Sequence, residues 1–387
     1  MMAAVMAMHA IGIDIMLPAL PAMAHSLHIP HVNQRQLIIT AYVMGFAVTQ
    51  IIFGPLSDRY GRKPVLLTGL CLYATTALIA SMAMSFELML AARLMQGMAA
   101  SAGRILSISI IRDRYAGPQM ARMMSTISVI FMAAPILAPS IGQIIVIFAQ
   151  WRGVFFFMAG TAFAVALWIS MRLPETLDPD HRRPFTLGHI GPAIVTVVSN
   201  RISLGYALGV ALTYGSQMGY INSAQQIFTD ALGAGKWFAP LFAIPVAAFM
   251  ISAFINSRIV EALGSRMVSH SALIGIMAMT GIHALWALTI GDTVVSFTVF
   301  QFLTFLFLGC VSSNFNAMAM EPMGKVAGTA SSVHGTISTL GSGIVGLIIG
   351  QSFDGTVVPV IAGFFCCALG ALIVVLVAER GQLFGRR

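Results

Sequence analysis

The sequence predicts an all-α integral membrane protein of twelve spanning helices, arranged as two six-helix halves. The first observation behind this is composition: 58% of the 387 residues are hydrophobic, only 9% are charged, and the mean hydropathy is +0.88. A soluble protein of this size cannot build a polar shell from so few charges, so most of its surface faces lipid. The second is the recurrence of apolar runs of about 20 residues, each long enough to cross a hydrocarbon core as a helix that satisfies its own backbone. The third is "RLPETLDPDHRRPFTLGHIGP", Arg172 to Pro192, a polar, proline-rich stretch that divides the runs six and six. The expected domains are an N-terminal half over 1–172, a cytoplasmic linker over 173–201 and a C-terminal half over 202–387.

The expected spans are 2–24, 36–56, 64–84, 88–111, 120–147, 153–171, 202–227, 237–257, 267–289, 294–318, 327–350 and 357–377. Span 1 is read as a helix and not as a cleaved signal peptide, because Asp14, Pro18 and Pro21 carry it beyond a short apolar core. Its abrupt start leaves room for a leader of a few residues ahead of Met1. Most of the 21 basic residues fall in alternate joints on one side, whereas the other side holds only Arg35, Arg152 and Lys236. This bias puts both termini in the cytoplasm, and the net charge of +8 then reflects topology and not nucleic-acid binding.

Within span 1, Asp14 is a carboxylate at mid-depth, a costly position unless it is paired or wetted, and so a candidate for taking up and releasing a proton. Span 2 carries Tyr42 and ends in "GPLSDRYGRKPV", Gly54 to Val65, where Asp58, Arg59, Arg62 and Lys63 crowd a short joint. Gly61 permits a tight turn there, and the basic residues hold the joint in the cytoplasm. Span 4 contains Arg93 and Arg104, eleven residues apart and so about three turns along one face. Arg104 either lines a cavity or pairs with a carboxylate. In span 5, "AAPILAPSIGQ" holds Pro135 and Pro139, which remove backbone donors, and Gly142, which allows close approach, so a bent, thin helix is expected.

The second half repeats the first. "RIVEALGSRMV", Arg258 to Val268, matches the crowded joint at an offset of 203, with Asp58 opposite Glu261, Gly61 opposite Gly264 and Lys63 opposite Arg266. At the same offset Gln217 stands opposite Asp14, so the second half is neutral where the first is acidic. Polar and aromatic residues in its spans are candidate substrate contacts, namely Tyr214, Gln217, Tyr220, Asn222, Gln225, Asn314, Asn316, Ser331 and His334, with Tyr42 and Arg104 from the first half. The four cysteines have no metal-ligand spacing, and Pro30 interrupts the His25, His28, His31 series, so no metal site is expected. No nucleotide loop and no catalytic triad spacing is present, so an enzyme is not expected.

"GPLSDRYGRKPV" resembles the loop signature of the major facilitator superfamily. The longer "TAYVMGFAVTQIIFGPLSDRYGRKPVLL", with "DIMLPALPAM" upstream, resembles the bicyclomycin-resistance (Bcr/CflA) branch of its twelve-span drug:proton antiporters. The resemblance implies the major facilitator fold, two halves related by a pseudo-two-fold axis with substrate bound at mid-membrane. It implies a proton-coupled exporter of small amphipathic compounds in the bacterial inner membrane, working by alternating access, without cofactor and as a monomer. Asp14 matches the acid such exporters carry in helix 1; where some members place a second acid this chain has Met6, with His9 nearby, so Asp14 acts alone or with His9. Arg93, with Gln96 and Gly97, resembles the arginine motif beside the proton site, and the span 5 stretch resembles the antiporter signature, its closing glycine replaced by Gln143. Asp58 is implied to dock at the start of helix 11, near Ala327 to Ser332. The competing readings are an exporter of an endogenous sugar or amino acid, a proton symporter, or a sensor using the same fold.

Overall fold

The computed structural model describes residues 1–178, 180, 182 and 190–385, with side chains for all of these except 121, 190, 193 and 325–329. They form helices joined by short turns, with no β-strand among the described residues, and divide into two compact units, Met1–His189 and Ile190–Arg387. Arg386 and Arg387 lie outside the described residues, as do positions 179, 181 and 183–189 of the expected linker. Its last part is helical, which the sequence reading did not anticipate: α7 of this numbering covers Ile190–Ser199.

The first unit begins with α1 (Met2–Asp14), which stops in the middle of the expected span. Pro18 and Pro21 explain the stop. Neither can donate a backbone hydrogen bond, so the carbonyls of Asp14 and Leu17 lose their helical partners. The chain tightens into a 3₁₀ turn, Leu17–Ala19, where the Ala19 amide bonds the Met16 carbonyl at 2.9 Å, and resumes as α2 (Leu20–Ser26). Then follow α3 (Leu37–Tyr60), α4 (Arg62–Ser81), α5 (Phe86–Arg114) and α6 (Gly117–Arg172). Gln150, at φ 59°, breaks α6 into the two lengths read as spans 5 and 6. Pro135 and Pro139 lie inside its first length without any non-helical residue there.

The second unit continues with α8 (Arg201–Gln226), α9 (Phe238–Leu263), α10 (Ser265–Thr289), α11 (Val294–Met320), α12 (Ala327–Gln351) and α13 (Val358–Ala378). Ten stretches among the described residues are long and apolar enough to cross a membrane. Counting α6 as two lengths and adding α8 gives twelve. α8 falls short on hydropathy because it buries Ser203, Thr213, Ser216, Asn222, Ser223, Gln225 and Gln226 inside its unit.

Both units place polar groups inside and apolar ones outside, as helices packed in lipid do. Phe163, Leu285 and Val377 are exposed, whereas Gln50, Arg93, Gln96, Ser101 and Gln301 are buried. Small residues set the helix spacing. A Cβ on Gly97 would overlap the Tyr42 carbonyl and one on Gly45 the Leu94 carbonyl, so α3 and α5 cross backbone to backbone. Thr49 fastens the same crossing, 2.8 Å from the Ser101 hydroxyl and donating to the Met98 carbonyl at 3.1 Å.

Candidate functional site

Asp14 is the last residue of α1; the residue is 3% exposed, and its Oδ1 is buried without a hydrogen-bond partner. The break that follows it is pressed against the helix of the antiporter-like signature, since a Cβ on Gly142 would overlap the Ile15 carbonyl. Gly142 is thus required for close approach, and the first length of α6 touches the chain one residue beyond Asp14.

Arg93, on α5, is completely buried. The sequence reading set it beside the proton site, and so near Asp14. The structure has no ion pair between them; the guanidinium donates instead to the Gly12 carbonyl at 2.8 Å, to the Ile38 carbonyl at 3.3 Å and to Gln96 Oε1 at 2.6 Å. It also lies 4.4 Å from the centre of the Tyr42 ring and 5.9 Å from that of Phe155. One side chain therefore ties the last turn of α1 to α3, α5 and α6. Buried hydrogen bonds and ring contacts of this kind stabilise only while the charge is kept, which arginine guarantees. Arg93 is wholly buried, whereas Arg104, three turns further along α5, is half-buried.

His9, one and a half turns before Asp14, stacks on Phe46 with ring centres 3.8 Å apart. Its Nδ1 is 3.3 Å from the Tyr42 hydroxyl, which also reaches the His9 carbonyl at 3.4 Å. Tyr42, read as a substrate contact, is instead packed between His9 and Arg93, and Arg104 lies over the opposite partner of His9, 5.8 Å from the Phe46 ring centre. A Cβ on Gly12 would come within 2.8 Å of the Tyr73 hydroxyl and 2.9 Å of that of Tyr42, so both phenols crowd the turn that Arg93 holds.

The crowded joint forms a second cluster of charge. Gly61 takes φ 100°, a value that side chains disfavour, and ends α3 while opening α4. Arg62 then folds back to Asp58 at 2.5 Å and reaches Asp113, at the end of α5, at 3.0 Å. Glu175, which the sequence reading left in the linker, accepts from the backbone amides of Arg62 at 3.0 Å and Lys63 at 3.2 Å, the unsatisfied donors at the start of α4. Lys63 donates to the Ser170 carbonyl at 2.8 Å. Burial pushes the Glu175 carboxyl up, but the amides of Leu177, Thr176, Arg62 and Lys63 outweigh it and hold the pKa below the usual carboxylate range. Of the stretch implied to receive Asp58, Ala327 to Ser332, the side chains of 327–329 lie outside the described residues.

The second unit repeats this cluster. Gly264 (φ 81°) opens α10, whose Arg266 bonds Glu379 at 2.8 Å, just past α13, and Glu321 at 3.1 Å, just past α11. Glu379 is kept below the usual carboxylate range because Arg266 and Tyr206 outweigh the effect of its burial. The signal that could have exposed both clusters was present: the repeat offset carries Glu175 to within one residue of Glu379.

Of the other expected substrate contacts, Tyr220 is buried between Phe242 and Phe305, with its hydroxyl unpartnered. Asn222 donates to the Gly346 carbonyl at 3.0 Å while its Oδ1 and the Oε1 of Gln225 have no partner. Asn314 donates to Asn256 at 2.6 Å, and His334 pairs with Asn316 at 3.0 Å, so these bond neighbouring helices. Tyr214 and Gln217 are half-buried and Ser331 is exposed.

A multi-pass membrane chain whose buried charges sit at a broken helix and at two repeated helix starts has the organisation of a small-molecule transporter and not of an enzyme. The chain matches the Major Facilitator Superfamily over residues 2–346 and belongs to it. It is similar to the uncharacterized MFS-type transporter YdgK of Bacillus subtilis, 30% identical with 93% of this chain and 89% of that protein covered. The bicyclomycin resistance protein homolog of Haemophilus influenzae is 27% identical, with coverage of 92% and 90%. Multidrug resistance protein D of Escherichia coli is 26% identical, with coverage of 93% and 89%.

Proposed function

We propose that this transporter exports small amphipathic, drug-like compounds in exchange for protons, with Asp14 as the proton carrier. The observation that carries the reading is the Asp14 carboxyl, buried at the end of α1 with an unpartnered oxygen and no arginine fixed on it. A carboxyl locked in an ion pair stays ionised, whereas one left without a partner in a low-dielectric surround gains from binding a proton. The likeness to proteins named for bicyclomycin and multidrug resistance supports export as the direction and drugs as the cargo.

On this reading Arg93 acts through the backbone. It fixes the last turn of α1 by the Gly12 carbonyl and so sets the depth and aim of Asp14, without quenching it. Protonation removes a buried charge and with it the cost of one conformer relative to another, so the proton biases an alternating-access equilibrium that substrate biases the other way. The protein works without a cofactor, as a monomer in the bacterial inner membrane, with both termini in the cytoplasm as the basic joints require. His9, hydrogen-bonded to Tyr42, is a second proton-accepting group on the same helix.

The test is reconstitution in vesicles holding a pH-reporting dye, with a panel of cationic, neutral and anionic antimicrobials. Proton movement triggered by a compound and lost in Asp14→Asn is the expected result. Compound movement with no proton movement in the wild type would overturn the coupling.

A further inference from the structure

His270, in the second turn of α10, is completely buried, and every polar atom of its ring is engaged. Nδ1 lies 3.2 Å from the backbone amide of Phe384, in the segment beyond α13, and Nε2 lies 3.1 Å from the Tyr206 hydroxyl. A backbone amide can only donate, so Nδ1 is an acceptor and carries no proton. The ring's proton is therefore on Nε2, which donates to Tyr206. Tyr206 in turn donates to Glu379 Oε1 at 2.8 Å, and the same oxygen accepts from Arg266 Nε at 2.8 Å. The chain of bonds closes in one sense only: Phe384 amide to His270, His270 to Tyr206, Tyr206 to Glu379.

The segment after α13 is folded tightly to make this contact. Arg380 at φ 53° and Phe384 at φ 66° occupy the left-handed region that side chains disfavour, flanking Gly381 at φ 78°. Such conformations persist only where surrounding contacts compensate for them. The compensating contacts are the Phe384 ring, 5.8 Å from the imidazole centre in an edge arrangement, the amide bond to Nδ1, and the Gly381 amide on the Leu376 carbonyl at 2.8 Å.

We propose that residues 380–385 are a proton-released latch, held over the Arg266–Glu379 cluster only while His270 is neutral. A proton added at Nδ1 would face the Phe384 N–H, donor against donor, and the latch bond would be lost. The groups that surround the cluster are Tyr206 from α8, Glu379 from the end of α13, Arg266 on α10 itself, and Glu321 beyond α11; Glu261 from α9 lines the cleft beside Arg266 and Phe384. Because the latched state holds the neutral ring, latching is favoured at high pH and lost as pH falls. With the termini in the cytoplasm, as under the proposed function, the latch reads the side to which an antiporter delivers protons.

The test is amide hydrogen exchange of the full chain in lipid nanodiscs, with rates corrected against a free peptide of sequence 380–385. The Phe384 and Gln382 amides should be protected at about pH 7.5 and lose that protection on acidification, by roughly twofold or more at about pH 4. His270→Phe should show the unprotected rate at both pH values, and Phe384→Pro, which leaves the spanning helices untouched, should make Gln382 exchange without pH dependence. Equal wild-type protection at the two pH values would overturn the latch. So would a Phe384→Pro chain in which Gln382 keeps the wild-type pH dependence. Neither measurement involves transport, so failure of the exporter reading leaves the result intact.

Discussion

The first turns of α4 and α10 are built alike, while the middles of the two units are not. In each unit a positive-φ glycine precedes the helix, an arginine in its first turn reaches back to acids, and those acids come from the ends of two other helices: Asp113 and Glu175 for Arg62 and its neighbours, Glu321 and Glu379 for Arg266. At mid-span the first unit carries Asp14 and Arg93, whereas at the repeat offset from Asp14 the second unit has the neutral Gln217. What was kept in both copies holds helix ends together. What is found in one includes the carboxyl proposed to carry the proton.

The largest expected effect belongs to the unshared feature. Asp14→Asn should lower proton-coupled transport by about a hundredfold or more while leaving the fold intact, because it removes the charge change and keeps the shape. Transport driven by substrate gradient alone should survive, measured by equilibrium exchange in vesicles. Next come the backbone contacts that seat it. Gly142→Leu or Gly97→Leu forces a side chain into a carbonyl and should cost more than about 3 kcal/mol, or prevent folding, seen as loss of the monodisperse peak and of thermal stability in detergent.

The shared feature is sharpened by its two glutamates. Glu379→Gln should destabilise by about 2 kcal/mol, since it removes the buried charge that half-buried Arg266 pairs with, whereas exposed Glu175→Gln should cost about 1 kcal/mol or less because water screens it. The pKa of each carboxyl is held below its usual value, so each contributes stability above the unfolded carboxylate range and loses it as pH falls through the lowered value. Melting temperature against pH should therefore drop less on acidification in the Glu379→Gln chain than in the wild type. The smallest effect is a helix cap: Thr293 and Ser296 bond reciprocally at the start of α11, and Thr293→Ala should cost about 1 kcal/mol by melting.

Hydropathy exposed the spans well, because lipid selects composition over whole helices; even α8, more polar than the rest, was read as an apolar run over 202–227. It could not show that α1 ends at Asp14, since that depends on which carbonyls Pro18 and Pro21 deprive, although both prolines were in view. Asp14 was legible as a lone charge in an apolar run. Its lack of an arginine partner was not, because spacing along α5 puts Arg93 at the right depth without saying that three acceptors would claim its donors first. Glu175, Asp113, Glu321 and Glu379 looked like solvated joint residues, and only contacts between segments far apart in sequence reveal what they hold. Tyr42 and Asn314 read as substrate contacts for the same reason in reverse: a polar group in a span looks unpartnered until the neighbouring helix is placed.

The central claim, that Asp14 carries the exchanged proton, is tested most directly by ligand-induced proton release. The purified chain in weakly buffered detergent is mixed with a transported antimicrobial while a pH indicator is followed, for the wild type and for Asp14→Asn. Release of protons by the wild type, with none from the variant that still binds the compound, is the predicted result. Equal release from both would contradict it and place the proton on another group.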